Sequence, residues 1–264
     1  MEEKLIEPSS IPLSEKIKNY FSKSNWVNLI GLFGFLIFSV STIFTIVEIV
    51  FYLQDGSSWI VLFGILDRFT NESNILLWVF MLFYIFFPKH SFLKNNKFLV
   101  CTMVYIFFTF FGYNVILVGI NGYSYSGSAY SITSNVWLHV LSPLYFIFFG
   151  LMVMYTQPNK NPKYLTTLLA GMIYPTIYVI YVITIPFVFH APAQDGSKYS
   201  VEFWNDYKTG FYTVYANATN VAVYPTAWAY IMVMWLVFFP GAFTIFHYCW
   251  VGFNKLNASK NKNK

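Results

Sequence analysis

Charge is what this chain has least of. Asp, Glu, Lys and Arg make up 10% of its 264 residues, against about a quarter in soluble domains. That scarcity excludes a water-soluble domain with an ordinary surface. Cysteine is almost as rare: Cys101 and Cys249 both sit inside apolar runs, which excludes a disulfide framework and a cysteine metal site. The four histidines show no metal-ligand spacing, and no phosphate-cradling glycine loop or dinucleotide fingerprint is present. Neither a metal nor an organic cofactor is expected. No internal repeat is found. Residues 1–25 carry charge at both ends and no apolar stretch before Trp26, so they do not read as a signal peptide.

What fills the chain instead is apolar: 57% hydrophobic, with 30 Phe and 21 Tyr, in runs near the roughly 20 residues that cross a bilayer as a helix. Six spans are expected, at about Trp26–Leu53, Thr70–Phe87, Phe98–Ile120, Val136–Tyr155, Leu165–Phe189 and Val221–Phe253. The fold class is all-α, a polytopic membrane protein. Residues 1–25 form a cytoplasmic amphipathic segment, with Leu13, Ile17, Tyr20 and Phe21 on one face and Ser14 as N-cap. Residues 26–253 form one six-helix domain with outer loops 54–69, 121–135 and 190–220, and 254–264 is a basic cytoplasmic tail. The run within Ser58–Leu66 is too short to span and reads as interfacial. Pro240 should bend the sixth span.

Lysine fixes the orientation. With the N-terminus inside, the outer loops keep only Arg68, Lys198 and Lys208 of 16 basic residues, and positive charge marks the cytoplasmic side. Both termini are therefore placed in the cytoplasm of a multi-pass cell-membrane protein. The net charge of +5 follows from topology, so nucleic acid is not a partner. Asn217-Ala218-Thr219 is a glycosylation sequon on the outer side.

Polar residues inside the spans gather at one depth. Thr70, Asn71, Glu72, Ser73 and Asn74 open the second span, His139 the fourth and Tyr224 the sixth, while Glu48 and Asn114 close the first and third. At about 1.5 Å per residue these lie within roughly two helical turns of one another. Thr70, Ser73 and Asn74 share a helix face. His139 stands four residues before Pro143, whose missing N–H frees the His139 carbonyl. A hydroxyl opposite a histidine is the minimum for an activated nucleophile, so Thr70 or Ser73 would attack a carbonyl with His139 as base. Asn71, Asn74 or Asn114 would donate to the oxyanion. The expected pocket is lined by Thr70, Ser73, Asn74, Asn114, His139 and Tyr224. Polar groups also pair across membrane helices purely as packing, and Glu48 and Glu72 equally suit an ion path.

Phe-Thr-Asn-Glu-Ser-Asn at 69–74, Thr-Phe-Phe-Gly-Tyr-Asn at 109–114, His-Val-Leu-Ser-Pro at 139–143, Tyr-Pro-Thr-Ile-Tyr-Val-Ile-Tyr at 174–181 and Tyr-Pro at 224–225 follow one another, one per span. In that order they resemble the bacterial six-proline integral membrane family. More distantly the chain is similar to the androgen-induced/androgen-dependent intramembrane threonine hydrolases, over about residues 27–253. That resemblance implies cleavage of fatty-acid esters by a threonine and a histidine. The histidine corresponds to His139, whereas the position of the nucleophile corresponds to Asn71, flanked by Thr70 and Ser73. Glu72 stands where the bacterial family usually has glutamine.

Two functions follow as expectations. One is a hydrolase or acyltransferase acting on membrane lipids or lipid-like acyl esters in the outer leaflet. The other is a transporter or substrate-capture subunit in which Glu48, Glu72 and His139 line a polar cavity. Protein partners are not indicated. A hydroxyl within reach of the imidazole beside a lipid-open cavity distinguishes the first; a polar track to the cytoplasm, the second.

Overall fold

The computed structural model describes residues 14, 26–54, 64–88, 90, 93, 96–120, 122, 125, 127–156, 163–189, 211–215 and 218–262. The surface helix expected over 1–25 (Ser14 apart), the apolar run at 58–63 and Asn217 of the sequon fall outside the described residues.

Six helices are long and apolar enough to cross a membrane, and no strand occurs among the described residues. The chain is a multi-pass membrane protein of the all-α class. The first span, α1, is Trp26–Gln54, and α2 is Phe69–Phe86. The third span, α3, joins Asn96–Phe111 to a π-helical stretch, Gly112–Ile120. The fourth, α4, runs through Ala129–Val136, a π turn at Trp137–Leu141 and Ser142–Thr156. The fifth, α5, is Tyr164–Val188, and α6 runs through Pro225–Val233, a π turn at Met234–Phe238 and Phe239–Lys262.

Two boundaries differ from the expectation for a physical reason. The fourth span starts at Ala129 rather than Val136, because the Ser128 side chain caps it by accepting from Ser131 N–H. Its polar first turns, which read as loop, are helical. The sixth starts at Pro225 rather than Val221; proline suits the first helical position, where no N–H is needed.

The two short π turns share a cause. Ser142 N–H bonds to the Trp137 carbonyl and Phe239 N–H to that of Met234, each five residues back. Pro143 and Pro240 follow directly. A proline ring crowds the carbonyl four residues earlier, and widening the preceding turn relieves it.

The bundle is organised around α3. Its buried share, 56%, exceeds that of every other span, and it packs against α2, α4, α5 and α6. Leu165, Leu169, Ile173, Ile177 and Ile180 form an exposed apolar stripe on α5, at the spacing of one helix face. Such a stripe is compatible with lipid. Inside, Gly150 lets α4 close on Met103, and Gly171 lets α5 close on the ring of Phe243; a Cβ at either would overlap its neighbour. The Phe69 ring is central, meeting Tyr105, Phe108, Tyr174, Tyr178 and Phe239.

Candidate active site

The N-terminus of α2 is held without a side-chain cap of its own. Arg68 occupies the cap position and makes no capping bond. Instead the Phe69 N–H donates to the hydroxyls of Tyr178 and Tyr215, at 3.0 and 2.9 Å. Tyr178 in turn donates to the Asp67 carbonyl at 2.8 Å. These bonds satisfy one of the four N–H groups a helix start leaves open, and they place Thr70 in the first turn, facing α4.

Thr70 Oγ1 lies 3.1 Å from His139 Nε2, with both residues buried. The other ring nitrogen settles the tautomer. His139 Nδ1 is 3.0 Å from the Asn135 carbonyl oxygen, which can only accept, so Nδ1 carries the proton. Nε2 then presents its lone pair to the threonine hydroxyl. This is the protonation pattern of a general base opposite an alcohol, with a backbone carbonyl in the orienting role that a carboxylate fills in serine hydrolases. Tyr113 covers the imidazole, its ring stacked at 3.6 Å between centroids and tilted by 26°.

The histidine is anchored through its backbone too. Asn114 donates to the His139 carbonyl at 2.9 Å and to the Phe110 carbonyl at 2.8 Å, and Tyr125 donates to Asn114 Oδ1. The carbonyl that Pro143 leaves without a helical donor is thereby satisfied from α3. Asn74 ties the two reacting helices together. It donates to the Thr70 carbonyl at 2.8 Å, approaches the Leu138 carbonyl at 3.4 Å, and accepts from Ser142 at 2.7 Å.

The remaining expected residues are placed as follows. Ser73 shares the face of Thr70 but points away from the imidazole, donating to the Thr70 carbonyl at 3.0 Å and pairing with Thr109 at 2.8 Å. It is not the hydroxyl on His139. Asn71 donates to the Ile65 carbonyl at 2.8 Å. Glu48 pairs with Arg68 at 2.9 Å, and Glu72 accepts from Tyr174. Tyr224 occupies the N-cap position of α6.

Beside Thr70 lies a cavity of about 110 Å³, walled mainly by apolar side chains that include Phe108, Ile116, Leu117, Val179 and Met234. One of the six expected lining residues reaches this wall. Thr70 contributes, whereas Ser73, Asn74, Asn114, His139 and Tyr224 do not. Thr109, Tyr113, Tyr178 and Tyr215 are also among the residues that line it.

One group had no counterpart in the sequence reading. Asp67 is buried, accepting at one carboxylate oxygen from Tyr212 at 2.7 Å and Tyr181 at 2.9 Å, while the other oxygen has no hydrogen-bond partner. Burial pushes its pKa up, against the two tyrosine hydrogen bonds and the Arg68 charge, which lower it. Burial likewise pushes the Tyr215 hydroxyl up to about 12, so that phenol stays protonated at neutral pH. Among the described residues no three His, Cys, Asp or Glu side chains group as a metal site.

A multi-pass helical membrane protein with a buried threonine–histidine contact beside an apolar cavity is the class these features define. Over 231 residues, 86% of this chain and 86% of the relative, the chain is 34% identical to the uncharacterized protein MG452 homolog of Mycoplasma pneumoniae, and it belongs to the same family as that protein. It is 34% identical over 177 residues to the uncharacterized protein MG452 of Mycoplasma genitalium, covering 66% of this chain and 63% of that one. To the uncharacterized protein MG133 of Mycoplasma genitalium it is 26% identical over 212 residues, 70% of this chain and 78% of the other. Residues 132–256 match the family model described as "Protein of unknown function (DUF1600)", a stretch that contains His139 and Pro143 but not Thr70. No solved structure matches the chain.

Proposed function

We propose that this protein cleaves or transfers the acyl group of lipid esters inside the membrane, with Thr70 as nucleophile and His139 as general base. The observation that carries the reading is the 3.1 Å contact of Thr70 Oγ1 with a His139 Nε2 whose lone pair is fixed by the Asn135 carbonyl on Nδ1. Thr70 Oγ attacks the ester carbonyl as its proton passes to Nε2. The tetrahedral intermediate then collapses, and the departing alkoxide takes that proton. Water or a second alcohol attacks the acyl-threonine with His139 again as base. The apolar wall beside Thr70 suits a hydrocarbon chain. The likeness of the spans to intramembrane threonine hydrolases supports the same chemistry, and the lysine distribution supports a site in the outer leaflet of the cell membrane.

The transport reading draws less support. Glu48 and Glu72 are engaged by Arg68 and Tyr174, and neither lines the cavity.

The test is labelling of the purified protein in lipid nanodiscs with an alkyl fluorophosphonate, together with turnover of long-chain 4-nitrophenyl esters. Wild type and Ser73→Ala should be labelled, and Thr70→Ala should not. His139→Ala should slow turnover by about 10²–10⁴-fold, the range for a general base. Labelling that persists in both Thr70→Ala and His139→Ala would refute the assignment.

A further inference from the structure

Acyl transfer through Thr70 requires a donor for the negative charge that develops on the ester oxygen, and removal of one such donor typically costs about 10²–10³-fold in kcat. Asn74 and Asn114 have the right chemistry but spend both amide N–H groups, on the carbonyls of Thr70 and Leu138 and of Phe110 and His139 respectively, while Asn71 donates to the Ile65 carbonyl. None of the three lines the cavity.

Thr109 does line it, as Thr70, Phe69 and Phe108 do. It is buried on α3, and its hydroxyl pairs with Ser73 Oγ at 2.8 Å. Ser73 is in turn fixed 3.0 Å from the Thr70 carbonyl oxygen. The proton count in this chain is informative. A serine has one proton, and the Thr70 carbonyl can only accept, so when Ser73 donates there, the Thr109 proton bridges the two hydroxyls. Ser73 can equally donate to Thr109. The Thr109 proton is then left for another acceptor, and the Tyr105 carbonyl at 3.4 Å is a long one. The pair thus has two arrangements of its protons, and one frees the Thr109 proton on a residue that lines the same cavity as the nucleophile.

We infer that Thr109 is a further catalytic residue, which donates its hydroxyl proton as a hydrogen bond to the ester carbonyl oxygen while Ser73 turns its own proton onto Thr109. This rests on the acyl-transfer reading above. No proton changes owner at Thr109. The electron pair that Thr70 Oγ brings to the carbonyl carbon moves onto the oxygen, Thr109 O–H holds it there, and the bond is released when the intermediate collapses. Ser73 is then a positioning residue rather than a nucleophile.

The experiment compares Thr109→Val, which keeps the shape and removes the donor, with Thr109→Ser, which keeps the donor. Both are assayed in nanodiscs against long-chain 4-nitrophenyl esters, with thermal unfolding as the check on folding. Thr109→Val should lose about 10²–10³-fold in kcat with KM little changed, and Thr109→Ser should recover most of it. An alkyl trifluoromethyl ketone, which forms a tetrahedral adduct with an active hydroxyl, should bind Thr109→Val more weakly by a comparable factor. A fatty amide of the same chain length should bind both alike. If Thr109→Val does not fold, Thr109→Ala is read in its place. A wild type that turns over, a slow His139→Ala variant and a Thr109→Val variant within threefold of wild type would overturn the Thr109 assignment alone. Absence of turnover in the wild type, with labelling indifferent to Thr70→Ala, would remove the acyl-transfer reading and this assignment together.

Discussion

Asn114 on α3 donates to the carbonyl oxygen of His139 on α4 at 2.9 Å, the one carbonyl that Pro143 deprives of its helical partner. The base is thus held from both ends, its ring by Asn135 and Thr70 and its backbone by a neighbouring span. Asn114→Ala should leave that carbonyl without its cross-helix donor. Hydrogen bonds between membrane helices average about 0.6 kcal/mol and reach about 1.7, so a loss on the order of 1 kcal/mol in unfolding free energy is expected. Pro143→Ala restores an N–H four residues after His139 and should soften the effect of Asn114→Ala. In a double-mutant cycle the pair should therefore be less destabilised than the sum of the singles. Strict additivity would show that the two act on different carbonyls.

Asp67 supplies a prediction in pH. Burial raises its pKa in the folded chain above the ordinary 3.8, so between those two values the native state binds more protons than the unfolded state. Stability therefore falls as pH rises through the window. The contribution is fully present below about pH 4 and is lost once pH passes the raised folded value. Asp67→Asn removes the titration. The difference in thermal midpoint, variant minus wild type, should grow with pH from 4 to 7 in nanodiscs. A difference that stays flat would mean that the carboxyl titrates alike in both states.

The lysine pattern leads to an expected orientation: both termini and the segments 88–96 and 157–163 on the cytoplasmic face. Single cysteines introduced at 92 and 160 on a Cys101→Ala, Cys249→Ala background should resist a membrane-impermeant maleimide added to intact cells. One at 125 should react. Reaction at 92 from outside would invert the arrangement and move Thr70 and His139 to the inner leaflet.

Parts of this architecture are legible in the residues and parts are not, for physical reasons. Long apolar runs admit little besides membrane helices, and the six spans followed from them directly. His139 and Thr70 stood out because an imidazole and a polar helix start are conspicuous among Phe, Leu and Ile. Hydroxyls are harder to read. Ser41, Thr102 and Thr184 bond to carbonyls of their own helices, whereas Ser73 and Ser142 reach across to other spans, and no spacing separates the two behaviours. Tyrosine poses the same difficulty: with 21 in the chain, nothing marked Tyr178 and Tyr215 as the pair that caps α2, or Tyr181 and Tyr212 as donors to Asp67. Tyr224 was expected at the cavity on depth alone. Depth does not fix azimuth, and Tyr215 from a non-helical segment occupies the wall.

The π turn at Trp137–Leu141 has an angular consequence. It closes over five residues, from Trp137 to Ser142, what an α-helix closes over four, so it takes up one extra residue while the two parts of α4 keep nearly the phase of a plain helix. Removing Val140 would let the turn close as an ordinary α-helix, with the outer part of α4 near its present bearing. One residue added there would have no such slack: each α-helical residue advances the side-chain direction by about 100°, so the outer part of α4 would swing through more than a quarter circle and Thr70 would lose its base.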